Sequence, residues 1–136
     1  MPLRIAPMKR SSYKFGLTPE QWSEAKAELR AAILDAAWDR RMTHYGAVAS
    51  KVSVVSLDPH SWLMNNLLGE IFEEEKAAGR PALTALVTRK DGDKEPGPGF
   101  YEMARKLGYT FNEPFVFWSS QVQEVFKVHG KPERSR

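Results

Sequence analysis

The chain contains no cysteine. That removes disulfides, thiolate zinc sites and a cysteine nucleophile together, and makes a reducing interior the default setting. Histidine is scarce as well: His44, His60 and His129 stand at spacings that match no metal-site pattern, and there is no HExxH pair. GxSxG, the Walker loop and the dinucleotide fingerprint are all missing. The acids at 73–75 scatter around a helix and cannot form a paired-carboxylate site by themselves. Long apolar runs are lacking too, since Leu67-Leu68 and Ala85-Leu86-Val87 are far too short to span a bilayer. The basic start "MPLRIAPMKRSSYK" has no apolar h-region, so the expected compartment is the cytoplasm. Together these absences predict no catalytic residue, no cofactor, no metal and no membrane partner.

What remains is a chain of 136 residues, 42% hydrophobic and 27% charged, which fits one soluble domain with a proper core. Its formal charge of +3 is unevenly spread. Arg4, Lys9, Arg10 and Lys14 make residues 1–16 a basic arm without an acid, and Lys127, Lys131, Arg134 and Arg136 make the other end basic. The body between them is acidic. Residues 17–129 are read as a single domain, with 130–136 as a basic tail. Such ends contact phosphates or merely keep a protein soluble.

The first helix is announced by "TPEQ", with Thr18 as N-cap, Pro19 as first helical residue and Gln21 completing a capping box. Trp22, Ala25, Leu29, Ile33 and Ala36 then recur at helical spacing up to Arg40-Arg41. "YGAVASKV" puts Tyr45, Val48, Ala49 and Val52 on one helical face, after the strand-like link Met42-Thr43-His44. Asp58-Pro59 marks the start of a helix over 59–78, closed by Gly79. "ALTALVTRK" predicts a strand over 82–90, and Asp91-Gly92 is a hairpin signal. "FYEMARKLG" predicts a short helix, and Asn112 is placed as N-cap of a last helix whose stripe is Phe115, Trp118, Val122 and Val125/Phe126. Trp22, Ile33, Leu67, Leu86, Phe100 and Leu107 are the expected core.

That order of elements is similar to a winged helix-turn-helix: mainly α (α+β), with a small β-sheet. "THYGAVASKV" resembles the start of the winged domain in alkylguanine-DNA alkyltransferases and their alkyltransferase-like relatives. Their Pro-Cys-His-Arg motif has no counterpart here, so alkyl transfer is not implied. Over most of the chain, "TPEQWSEAKAELRAAILDAA", "THYGAVASKV" and "LLGEIFEEEKAAGRPALTALVTRKDGDKEPGPGFYEMARKLG" resemble small winged-helix-like proteins of actinobacteria and their phages. The resemblance implies a fold and a setting rather than a mechanism.

Two functional expectations follow. The first is a non-enzymatic, DNA-binding regulatory protein. A recognition helix over 59–78 would offer His60, Asn65 and Asn66 to base edges, because Asn pairs with adenine in the major groove. Phosphate contacts would come from Arg4, Lys9, Arg10, Lys14, Arg40, Arg41, Arg89 and Lys90 on duplex DNA. Against this stand Glu70, Glu73, Glu74 and Glu75 on the same helix, which phosphates would repel, and a wing bearing Arg89, Lys90 and Lys94 is neutralised by Asp91, Asp93 and Glu95. The alternative is a module that binds or inhibits a host protein, or pairs as a homodimer, through Phe115, Phe117, Trp118 and Phe126, which do not all share one helix face. A core wrapping that helix on two sides accounts for the same residues. Pro96, Gly97, Pro98 and Gly99 read as a stiff reversal that delivers Phe100 into the core. The helix start there has N–H groups for an anion, but no Lys or Ser stands at phosphate-loop spacing.

Overall fold

The capping box at Thr18 opens the first helix, α1 (Pro19–Trp38). Thr18 Oγ1 accepts the Gln21 N–H at 3.1 Å, and Gln21 Oε1 accepts the Thr18 N–H at 2.9 Å, so two orphan donors are satisfied reciprocally. The computed structural model to which these elements belong describes residues 14–90 and 95–133. Trp22, Ala25, Leu29, Ile33 and Ala36 form the buried stripe that the sequence spacing predicts. The helix stops at Trp38, short of the expected Arg40-Arg41, because Arg40 takes a left-handed φ of 56° that ends the helical path.

A two-residue strand, β1 (Thr43–His44), runs directly into the short helix α2 (Tyr45–Ala49). His44 is its N-cap, with Nδ1 accepting the Ala47 N–H at 3.3 Å. The loop that follows is pinned to α1. The Glu28 carboxylate accepts the Ser53 N–H at 2.8 Å, the Ser53 hydroxyl at 2.6 Å and the Val54 N–H at 3.2 Å.

Helix α3 (Trp62–Ala77) is shorter than the expected 59–78. Asp58 does not cap it; its Oδ1 accepts the His60 N–H at 2.8 Å and closes a local turn. Ser61 becomes the cap instead, with Oγ accepting the Met64 N–H at 3.1 Å. Gly79 then terminates the helix region with a φ of 76°.

The strand expected over 82–90 is mostly something else. Leu83–Leu86 forms a 3₁₀ turn, and only Val87–Thr88 (β2) is extended. Residues 82–88 are buried, and α1, α3 and α5 (Pro114–His129) all pack against the 3₁₀ turn, which leaves no room for a neighbouring strand. Its backbone groups are satisfied from α5 instead. Gln121 Oε1 accepts the Ala82 N–H at 2.9 Å, and Trp118 Nε1 donates to the Ala85 carbonyl at 2.7 Å. β2 pairs with β1 in parallel, Thr43 opposite Val87 and His44 opposite Thr88. The Asp91-Gly92 hairpin signal lies outside the described residues.

Helix α4 (Pro98–Lys106) starts two residues before the expected Phe100, because Pro98 takes the first helical position with Gly97 as N-cap, and Phe100 is turned into the core as expected. For α5 the cap is Glu113 rather than Asn112, because Pro114, which has no N–H to cap, takes the first helical position. Of the expected core, Trp22, Ile33, Leu67, Leu86 and Phe100 are buried. Leu107 is only half-buried, since it sits at the C-cap of α4. The protein is mainly helical, and among the described residues β1 and β2 lie side by side in a small two-stranded parallel sheet.

Candidate functional site

The Pro96–Gly99 reversal brings three elements together. The Tyr45 hydroxyl accepts the Gly97 N–H at 2.8 Å, which ties the start of α4 to the start of α2. A Cβ on Gly99 would lie 2.7 Å from Asn65 Oδ1, so α4 begins directly against the Asn65 amide of α3. Between these starts and the end of β2 lies a cleft of about 820 Å³. Its mouth carries His44, His60, Arg89 and Lys90, and Trp62 stands at its edge, 75% exposed. Leu68, Phe72 and Met103 line its apolar side. Among the described residues no carboxylate lines it.

Its polar groups are disposed for accepting a ligand. His44 Nδ1 is occupied as an acceptor, so the neutral ring carries its proton on Nε2, as a donor. Burial raises the Tyr45 hydroxyl above its ordinary pKa, against the opposing pull of the Gly97 N–H and the nearby Arg89 charge. Lys90 is exposed and makes no ion pair among the described residues, and the Asn65 amide makes no hydrogen bond among them. Thr84 is 5% exposed, and its Oγ1 is buried with no hydrogen-bond partner among the described residues. Two helices begin here, α3 and α4, and α4 lacks a side-chain cap. First-turn N–H groups present partial positive charge, so among the described lining residues backbone and side chains both contribute positive charge.

Four of the residues singled out from sequence meet here: His60, Asn65, Arg89 and Lys90. Asn66 does not, as it is exposed outside the cleft with Nδ2 donating to the Trp62 carbonyl at 2.8 Å. Arg40 and Arg41 belong to another part of the surface. Arg40 Nε donates to the Lys131 carbonyl at 2.7 Å, and Arg41 lies 3.5 Å from Asp39. Arg4, Lys9 and Arg10, and the side chain of Lys14, fall outside the described residues. Sequence reasoning missed His44, Trp62 and Thr84. Only Trp62 had a usable signal, an aromatic directly after the Ser61 cap and off the apolar stripe of its helix.

The aromatic residues of α5 divide. Phe117 stacks on Phe111 with centroids 4.3 Å apart and also faces Tyr109 and Phe100, while Trp118 is bound to Ala85 and Phe126 is half-buried. The core does wrap this helix on two sides, and Phe115 and Val116 are left exposed.

At the far end of α3, Glu75 is 1% exposed and takes a bidentate pair from Arg80, at 2.9 and 2.8 Å, together with Arg30. Burial there would raise its carboxyl pKa, but the hydrogen bonds and charges of Arg80 and Arg30 win and hold it below the ordinary value. Glu70 accepts Trp22 Nε1 at 2.7 Å and Lys26 Nζ at 3.0 Å, and Lys26 and Arg30 both reach Glu74. The acids that argued against phosphate binding are therefore largely consumed in joining α3 to α1, away from the cleft.

No protein-family model, curated protein or solved structure matches the chain. Among the described residues no group of His, Asp and Glu is placed to hold a metal ion, and no helix is long and apolar enough to cross a membrane.

Proposed function

We propose that the protein binds nucleic acid without catalysis, through the face formed by the N-terminal half of α3, the end of β2 and the start of α4. One observation carries this reading. Residues far apart in sequence, His44, His60, Arg89 and Lys90, share one cleft whose described wall contains no carboxylate, although the body of the chain is acidic. Evenly solvated surfaces intersperse both signs of charge, whereas a wall of one sign concentrates polyanions. The order α1, β1, α2, α3, β2 supports the same reading, with α3 in the place of a recognition helix. The arm bearing Arg4, Lys9, Arg10 and Lys14 would add phosphate contacts to those of Arg89 and Lys90.

Fluorescence anisotropy with labelled single-stranded and duplex oligonucleotides tests it. The full chain binds at low salt, and Lys90→Glu weakens that binding severalfold, whereas Glu73→Lys, on the exposed face near the other end of α3, does not. Absence of binding at low salt would end the proposal. A protein-docking role is favoured instead by the exposed Phe115 and Val116; a stoichiometric partner that survives nuclease in a pull-down would support it.

A further inference from the structure

The cleft encloses more volume than phosphate contacts require. Phosphates lie on the outside of a nucleic acid, and a protein that only neutralises them needs a charged surface rather than a cavity. About 820 Å³ falls within the range of small-ligand pockets, roughly 300–1,000 Å³. A duplex cannot enter such a concavity, but one nucleotide can.

The chemistry inside is graded in the way a nucleotide is. At the mouth stand Arg89 and Lys90, and beside them the start of α4, where Pro98 has no N–H and the first-turn N–H of Gly99 has no acceptor within the helix. Deeper in, Leu68, Phe72 and Met103 form an apolar wall. Two polar groups stand beside it, the exposed Asn65 amide and the buried Thr84 hydroxyl, and neither has a hydrogen-bond partner among the described residues. A buried hydroxyl without a partner is costly, and folding tolerates it where a ligand completes it. Trp62, 75% exposed at the edge, is a flat ring on which a base stacks regardless of its sequence.

We infer that the cleft is a pocket for a single unstacked nucleotide, its base inward between Trp62 and the apolar wall and its phosphate outward on Lys90, Arg89 and the α4 start. Asn65 and Thr84 meet the edge of the base, the amide as donor and acceptor and the hydroxyl as either. The inference rests on the nucleic-acid reading and deepens it: the strand is held by one extruded or unpaired base, so single strands and mismatched duplexes are preferred over perfect duplex, where unstacking opposes binding.

Calorimetry on the full chain with the nucleoside 5′-monophosphates, the corresponding nucleosides and inorganic phosphate tests this directly. The monophosphates bind more tightly than either part alone, and Lys90→Ala weakens monophosphates and phosphate while sparing nucleosides. Thr84→Val preserves the shape of the side chain and removes the unpartnered hydroxyl. It should raise the melting temperature and weaken monophosphate binding by up to about tenfold, two changes of opposite sign that damage to the fold would not give. Monophosphate affinity unchanged in both Thr84→Val and Asn65→Ala would overturn the pocket assignment. So would no monophosphate binding at millimolar concentration in a protein that still binds oligonucleotides, and then the nucleic-acid reading would stand without the pocket. Loss of both kinds of binding would overturn both.

Discussion

The two halves of α3 are built for opposite purposes. Its C-terminal half carries Glu70, Glu73, Glu74 and Glu75, and all but the exposed Glu73 are engaged by Lys26, Arg30, Arg80 or Trp22. Its N-terminal half carries Trp62 and Asn65, which face a cleft and leave ring and amide unused. One end pairs most of its acids inside the protein, and the other leaves a ring and an amide without partners among the described residues. Charge counted along the sequence averages these two ends and so hides the contrast, because a carboxylate paired within the fold contributes little field at a site on the other end of the helix.

Leu67→Ala strikes the junction between the halves and should have the largest effect, about 2–5 kcal/mol of stability, read by denaturant unfolding, because the side chain is fully buried. Glu75→Ala should follow at about 3 kcal/mol, because it strands Arg30 and Arg80, although both can turn partly to water. The same carboxylate makes the acid half pH-dependent. Its folded pKa is depressed, so its contribution is fully present above the unfolded value of about 4.3 and disappears as pH falls through the folded one. Thermal melts should therefore weaken below about pH 4, and Glu75→Gln should flatten that limb. Trp62→Ala should be the mildest for the fold, within about 0.5 kcal/mol, because the ring is mostly exposed. If it unfolded the protein, the N-terminal half would be structural and the contrast would fail.

Much of this architecture is legible in the residues themselves. Thr18, Pro19 and Gln21 announce α1, because a capping box is a local device whose chemistry is complete within four residues. The segment 82–90 reads as a strand and is mostly not one, because Leu, Val and Thr mark burial as readily as extension, and here burial comes from three surrounding helices. Half of the site is visible for a similar reason. His60, Asn65, Arg89 and Lys90 are polar residues at exposed-looking positions. His44 and Thr84 become part of it only through the parallel pairing of β1 with β2 and the collapse of the 3₁₀ turn, both long-range events. The glutamates of α3 mislead because their partners Lys26 and Arg30 lie more than forty residues away, on another helix.

The central claim is that the cleft, and not the acidic body or the tails alone, grips nucleic acid. The most direct test is the salt dependence of single-strand binding for the full chain, for a chain lacking residues 1–13 and for Lys90→Ala in that shortened chain. The logarithmic slope should be negative by about 0.7 for each phosphate neutralised. Removing Arg4, Lys9 and Arg10 with the arm should flatten the slope by about 2 units yet leave measurable binding, because α1 has its own cap at Thr18 and the cleft is untouched. Lys90→Ala should then flatten it by roughly one phosphate more. Binding that vanished with the arm, or a slope indifferent to Lys90, would contradict the claim.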